Sequence, residues 1–158
     1  MKRFFLFLIG FFIGIIIFFP SAELFFYIQR VLSRQHIYID SKIKNSHFLT
    51  LNNTKIYKND IKICSFKKAT IKPFILFNTI YIENLKTDFN FNLKQLNLYY
   101  TLFKPYKINL TAKNENSILK GEIDLKNHYL KIYFSNPSNA IKNLLKKDAK
   151  GYYYYAIY

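Results

Sequence analysis

Residues 89–100 run FNFNLKQLNLYY. Phe89, Phe91 and Leu93 alternate with Asn90, Asn92 and Lys94, and Leu96, Leu98 and Tyr100 resume the same period after one slip at Gln95. Because side chains of an extended chain alternate between two faces, this stretch predicts a β-strand with one apolar and one polar face. The slip marks a candidate bulge.

The same pattern continues on both sides. Downstream, Ile108 and Leu110 alternate with Lys107, Asn109 and Thr111, Asn114-Glu115-Asn116 makes a turn, and the chain returns from Ile118 to Leu125 through Gly121. Lys126-Asn127 predicts the next hairpin and Tyr129 to Phe134 the strand after it. Upstream, His36 opens a period-two run over Ile37, Ile39 and Ile43. Phe48 to Leu51 then meets Asn52-Asn53, a dipeptide tolerant of positive φ, with Lys55-Ile56-Tyr57 as the second arm of a predicted hairpin. Asn59-Asp60 turns again, and the strand from Ile61 stops at Pro73, which cannot donate to a ladder. Residues 73–77 form an apolar bend leading to Ile80-Tyr81-Ile82 and Leu85.

Two helices interrupt this series. Pro20 can open the first, which places Leu24, Ile28, Val31 and Leu32 on one face. The second is expected from Pro137-Ser138 through Ile141, Leu144 and Leu145, before Gly151 leads into the tyrosine-rich terminal strand 152–158. No Gly/Ser linker divides the strands, so residues 35–158 are expected to form one domain, a curled antiparallel β-meander with one short C-terminal helix. An amphipathic sheet must cover its apolar face or curl around it. Phe89, Phe91, Leu93, Ile108, Leu110 and Ile123 are therefore expected to line either a packed core or an open apolar trough.

Sixteen apolar residues, 4–19, follow Lys2 and Arg3. At helical rise they span about 24 Å, against a hydrocarbon core of about 30 Å. Apolar residues resume at 24–28, and Pro20-Ser21-Ala22 is a poor signal-peptidase site because its proline occupies a small-residue position. Residues 1–34 are thus expected to be an uncleaved transmembrane helix with its amphipathic continuation; a cleaved signal and a buried helix are the alternatives. Lys2 and Arg3 are the topology signal, favouring a cytoplasmic N-terminus. The body would then lie outside the cytoplasm, in a bacterium anchored to the inner membrane and facing the periplasm.

The formal charge is +15, yet arginine occurs only at positions 3, 30 and 34. Lysine accompanies abundant Asn, Ile, Phe and Tyr, the set that AT-rich codons encode. Phosphate and base recognition draws on bidentate arginine, so nucleic acid is a poor candidate partner. A lysine face for anionic headgroups or phosphorylated sugars is the other reading. Cys64 is the sole cysteine, which rules out an internal disulfide; it is expected to be a small core residue on a strand, with an intermolecular disulfide as the alternative. His36, His47 and His128 are scattered without metal-ligand spacing, and no glycine-rich phosphate loop occurs among four glycines. Glu122 and Asp124 share one face of a strand, where carboxylates amid lysines are expected to be solvated surface. No catalytic, cofactor-binding or metal-binding set is indicated, and the expectation is a protein that is not an enzyme.

The order of parts resembles a known group. A basic start, an apolar helix closing in Phe19-Pro20, an amphipathic continuation, then strands broken by residues 69–77 (ATIKPFILF), are similar to the type II secretion protein N family and related AsmA-like proteins. Residues 119–125 (LKGEIDL), followed by Pro137, a helix and residues 148–152, resemble the end of those domains. The anchor and rolled sheet are also similar to lipopolysaccharide-export protein C. The resemblance implies an inner-membrane anchor, a periplasmic β-domain without enzymatic activity, and work in a secretion or competence assembly or in lipid transfer. Two functions are therefore expected in competition: a subunit binding a protein partner of an envelope assembly, and a carrier with a lipid or glycolipid ligand.

Overall fold

The computed structural model describes residues 4, 6, 7, 10, 11, 14, 20–44, 48–74, 76–87, 92–114, 117–137 and 139–158. Phe89, Phe91, His47, Lys2 and Arg3 lie outside the described residues. So does most of the apolar run: residues 4, 6, 7, 10, 11 and 14 are helical, and among the described residues no helix is long and apolar enough to cross a membrane.

The chain is mainly β. Helix α1 (Ser21–Ser33) precedes strands β1 (Ile37–Lys44), β2 (Leu49–Lys58), β3 (Ile61–Pro73), β4 (Phe77–Thr87) and β5 (Asn92–Thr101). Then come β6 (Lys107–Lys113), β7 (Ile118–Asp124), β8 (Tyr129–Phe134), the single turn α2 (Asn139–Lys142), β9 (Lys146–Asp148) and β10 (Gly151–Ile157). All ten strands form one open sheet in the order β1-β2-β3-β4-β5-β6-β7-β8-β10-β9, each described pair antiparallel. The meander therefore holds through β8. It then breaks, because β10 inserts between β8 and the three-residue β9.

The predicted second helix shrinks to one turn for the same reason. Residues 146–148 pair with Gly151, Tyr152 and Tyr153 instead of continuing the helix, and Leu144 is left exposed. The first helix forms where its apolar spacing predicts, with the Leu24 N–H bonded to the Pro20 carbonyl at 3.1 Å. Its buried anchor is Phe25, packed with Leu24, Ile28 and Leu32 on Ile39, Leu49, Leu51, Phe66 and Ala69. Val31, placed on that face by the sequence pattern, is 42% exposed. A smaller cluster of Leu93, Ala112 and Leu119 adjoins the first, and Leu85 packs against both. Gly121 sits in β7 where a Cβ would overlap the backbone carbonyl of Lys131, so the close approach of β7 and β8 requires glycine.

The predicted hairpin at Asn52-Asn53 does not exist. β2 passes straight through it, and the positive φ expected of Asn53 (49°) is used inside the strand. Asn84 does the same in β4, at φ 53°. The inward positions shift there: Leu49 and Leu51 give way to Thr54 and Ile56 in β2, Phe66 to Ala69 and Ile71 in β3, and Leu93 to Leu96 in β5. Yet pairing stays in step across this level, from Asn52↔Lys68 to Thr54↔Phe66, from Ser65↔Lys86 to Lys68↔Glu83, and from Glu83↔Gln95 to Leu85↔Leu93. Hence the slip at Gln95 is not a bulge of one strand. Four neighbouring strands each add one residue at one level, which bends the sheet while keeping one face apolar throughout. β1 lacks the extra residue, and its ladder with β2 shifts between Asp40 and Lys42. There the Ser41 and Thr54 hydroxyls meet at 2.8 Å, satisfying the fully buried Thr54.

A β-branched residue is poorly tolerated at positive φ, whereas glycine is not. Asn84→Val is expected to destabilise by about 1–2 kcal/mol and Asn84→Gly by less. Urea unfolding of the two variants checks this, and equal losses would remove the backbone explanation.

Candidate functional site

Three surfaces are candidates: the apolar face, a lattice of polar side chains on the opposite face, and the two edges of the sheet. Among the expected trough residues, Leu93 is buried and Ile108, Leu110 and Ile123 are half-buried. Ile108 pairs with Ile123, Leu110 lies two residues from Ile108, and Leu93 and Leu110 pack in one cluster. The four therefore share one face. It is the face that carries α1, which contacts β1 and β2 at the far end.

On the other face, Glu122 and Asp124 are not the solvated surface that the sequence suggests. The Tyr129 hydroxyl donates to Glu122 at 2.5 Å, and Lys107 Nζ lies 3.4 Å from Glu122 and 3.9 Å from Asp124. Asp124, only 3% exposed, accepts the backbone N–H groups of Lys126 and Asn127 at 3.0 and 2.8 Å and the Asn127 side-chain amide at 3.1 Å. Its carboxylate thus closes the β7–β8 turn, where His128 takes φ 51°. One strand over, Lys131 Nζ lies 4.8 Å from the Tyr133 ring centre and 4.4 Å from that of Tyr153. Asp148 of β9 accepts from Lys131 at 3.5 Å and from the Tyr133 hydroxyl at 3.0 Å. This ties the short outer strand β9 across β10 to β8.

Glu122, Asp124, Lys107 and Tyr129 are shifted in the direction their neighbours dictate. The Tyr129 hydrogen bond and the Lys107 charge hold Glu122 below the usual carboxylate range against its partial burial. The turn N–H of Asn127 does most to lower Asp124. Lys107 is raised by the charge of Glu122, and Tyr129 by donating to it. Acids pushed down and a phenol and an ammonium pushed up are moved away from neutrality, the reverse of a poised proton-transfer pair. The lattice holds strands together. Tyr129, Lys131, Tyr133 and Asp148 were not singled out from sequence, although the spacing of 129, 131 and 133 on one strand face was available as a signal.

His36 and His128 occupy positive-φ turn positions, and among the described residues no group of three His, Cys, Asp or Glu side chains could hold a metal. Cys64 is half-buried on β3. The remaining contrast lies in the edges. β1 presents Asp40, Lys42 and Lys44 as exposed side chains and carries the ladder shift, both of which discourage strand addition. At the opposite end β9 covers only Gly151, Tyr152 and Tyr153. Tyr154 to Ile157 thus have β8 on one side and no described strand on the other, with no charge among them. No family model matches this chain, and neither a curated protein nor a solved structure matches it.

A lowered carboxylate stabilises the fold above its unfolded pKa, and that stability is lost as pH falls through the folded value. Asp124→Asn is expected to melt several degrees below the parent at pH 7, with the gap closing only as the pH falls below the ordinary aspartate range. Melting curves across pH 2.5–7 check it; a gap that persists in acid would mean that the carboxylate charge is not what Asp124 contributes.

Proposed function

We propose that this chain is a non-enzymatic subunit of a cell-envelope assembly, tethered to the inner membrane by its N-terminal apolar run with the β-domain in the periplasm. It captures a protein partner by adding the partner's strand to the β10 edge. The observation that carries this reading is the asymmetry of the edges: β1 is charged and irregular, whereas residues 154–157 are uncharged, regular and paired on one side only among the described residues. The run 4–19 behind Lys2 and Arg3 supports the tether.

The Tyr158 N–H bonds the His128 carbonyl, so the backbone groups of Tyr154 and Ala156 also point toward β8 and those of Tyr155 and Ile157 point away. Proline at 157 removes an outward N–H, and at 156 an inward one. A photo-reactive side chain at 157 is expected to cross-link an envelope protein in cells, and one at 38 on β1 to cross-link none. Ile157→Pro is expected to abolish partner capture with the melting temperature nearly unchanged, while Ala156→Pro lowers the melting temperature. Similar cross-linking from both edges, or capture that survives Ile157→Pro, would overturn the edge mechanism.

A second reading, carriage of a lipid in a curled apolar trough, is favoured by the shared face of Leu93, Ile108, Leu110 and Ile123. Native mass spectrometry of the chain extracted from its own membrane in mild detergent separates the two. Lipid retained at fixed stoichiometry supports the carrier; a lipid-free chain with a co-purifying envelope protein supports the subunit.

A further inference from the structure

The bend produces a second feature, on the face away from α1. Two adjoining hollows of about 450 and 460 Å³ lie along it, sharing Asn84 and Lys86. The pairs Lys55↔Ser65, Ser65↔Lys86 and Lys86↔Asn92 run across four strands as one row. Two residues away along each strand, Asn53, Lys67, Asn84 and Lys94 form a second row at the level of the inserted residues. Lysine and uncharged polar side chains thus alternate in both directions, with one lysine on each of β2, β3, β4 and β5. All four lysines are exposed, and no carboxylate among the described residues lines either hollow. The neighbouring Glu83 lies opposite Lys68 in the β3–β4 ladder and stands outside the lining.

We infer that this trench is a binding site for an acidic glycan, a polymer bearing sulfate, phosphate or carboxylate groups with hydroxyls between them. Lysines two strands apart in a row are separated by about 10 Å at the backbone, from a strand spacing of 4.7–4.9 Å. Anionic groups that far apart engage two lysines at once, while Asn53, Asn84 and Asn92 offer amides that both donate to and accept from hydroxyls. Among the described residues the lining contains no arginine, and its apolar members, Phe66, Leu85 and Leu93, pack in the core clusters. The described lining therefore lacks the guanidinium forks and exposed stacking rings that single-stranded nucleic acid uses. The bend that keeps the apolar face continuous also draws the lysines of four strands into one channel, so the site is a product of the fold rather than of net charge alone.

The test uses the full chain in nonionic detergent, with a heparin decasaccharide as the acidic glycan, neutral dextran and a twenty-nucleotide oligo-dT as comparisons, at two salt concentrations. The triple variant Lys55→Gln, Lys67→Gln and Lys86→Gln is set against a charge-matched triple, Lys42→Gln, Lys58→Gln and Lys126→Gln, with circular dichroism to confirm folding. Heparin is expected to bind, dextran not to bind, and the trench triple to lose about tenfold or more in affinity together with part of the salt dependence. The charge-matched triple should change affinity less than twofold. Equal losses in both triples would reduce the effect to net charge and overturn the site, as would failure of heparin to bind. Oligo-dT bound as tightly as heparin through the same lysines would overturn the glycan class.

Discussion

Every strand from β2 to β5 must insert its extra residue at one level, or the apolar side of the sheet would change faces half-way along. That constraint organises the rest of the molecule. It keeps Leu49, Phe66, Ala69, Ile82 and Leu85 on the side that α1 covers, and it joins this cluster to Leu93, Ala112 and Leu119. Asparagine answers it at positions 53 and 84 because its short amide tolerates left-handed backbone in a way that β-branched residues do not. Where the level meets β1, which lacks the insertion, the mismatch is absorbed as a ladder shift and sealed by the Ser41–Thr54 hydroxyl pair.

The two ends of the sheet are stabilised by different means. At the N-terminal end a helix supplies a second layer, and the energy is that of apolar burial around Phe25 and Leu49. At the other end hydrogen bonds, ring contacts and charge pairs tie β6 to β10, through Lys107, Glu122 and Tyr129, and through Lys131, Tyr133, Tyr153 and Asp148. These side chains occupy the face opposite the apolar one and link strand to strand across the far half of the sheet. On the apolar face of that half, Leu110, Ile108 and Ile123 are half-buried.

Strand existence was legible wherever the alternation was clean. β1, β3, β6, β7, β8 and β10 lie where the period of two and the turn residues Asn59-Asp60 and Lys126-Asn127 put them. The failures have a common cause. Asn52-Asn53 carries the local chemistry of a turn, but Leu49 and Leu51 before it and Thr54 after it are buried and all pair with β3, and that long-range pairing overrides the local signal. The slip at Gln95 was visible, yet its meaning depends on matching slips in three other strands. Residues 143–148 keep helical spacing, but pairing with β10 claims three of them. Glu122 and Asp124 share the face that the period of two assigns them, but their surroundings are set by Lys107 and Tyr129, which come from the strands on either side. The polar trench was invisible for the same reason: its lysines are spread over 40 positions, 55–94, and meet only once the register is known.

The neighbour-to-neighbour order from β1 to β8 also governs how the sheet can be built. Each strand finds its partner a few residues back along the chain, so the growing edge advances by local hairpin closure and the contact order stays low for an all-β protein. β10 departs from that rule by entering between β8 and β9. The first eight strands can therefore close by successive hairpins, whereas β9 and β10, joined at Ala149-Lys150, add as a hairpin whose second strand pairs with β8. Without that hairpin β8 would be the edge of the sheet, so the tyrosine-rich terminus is what covers it.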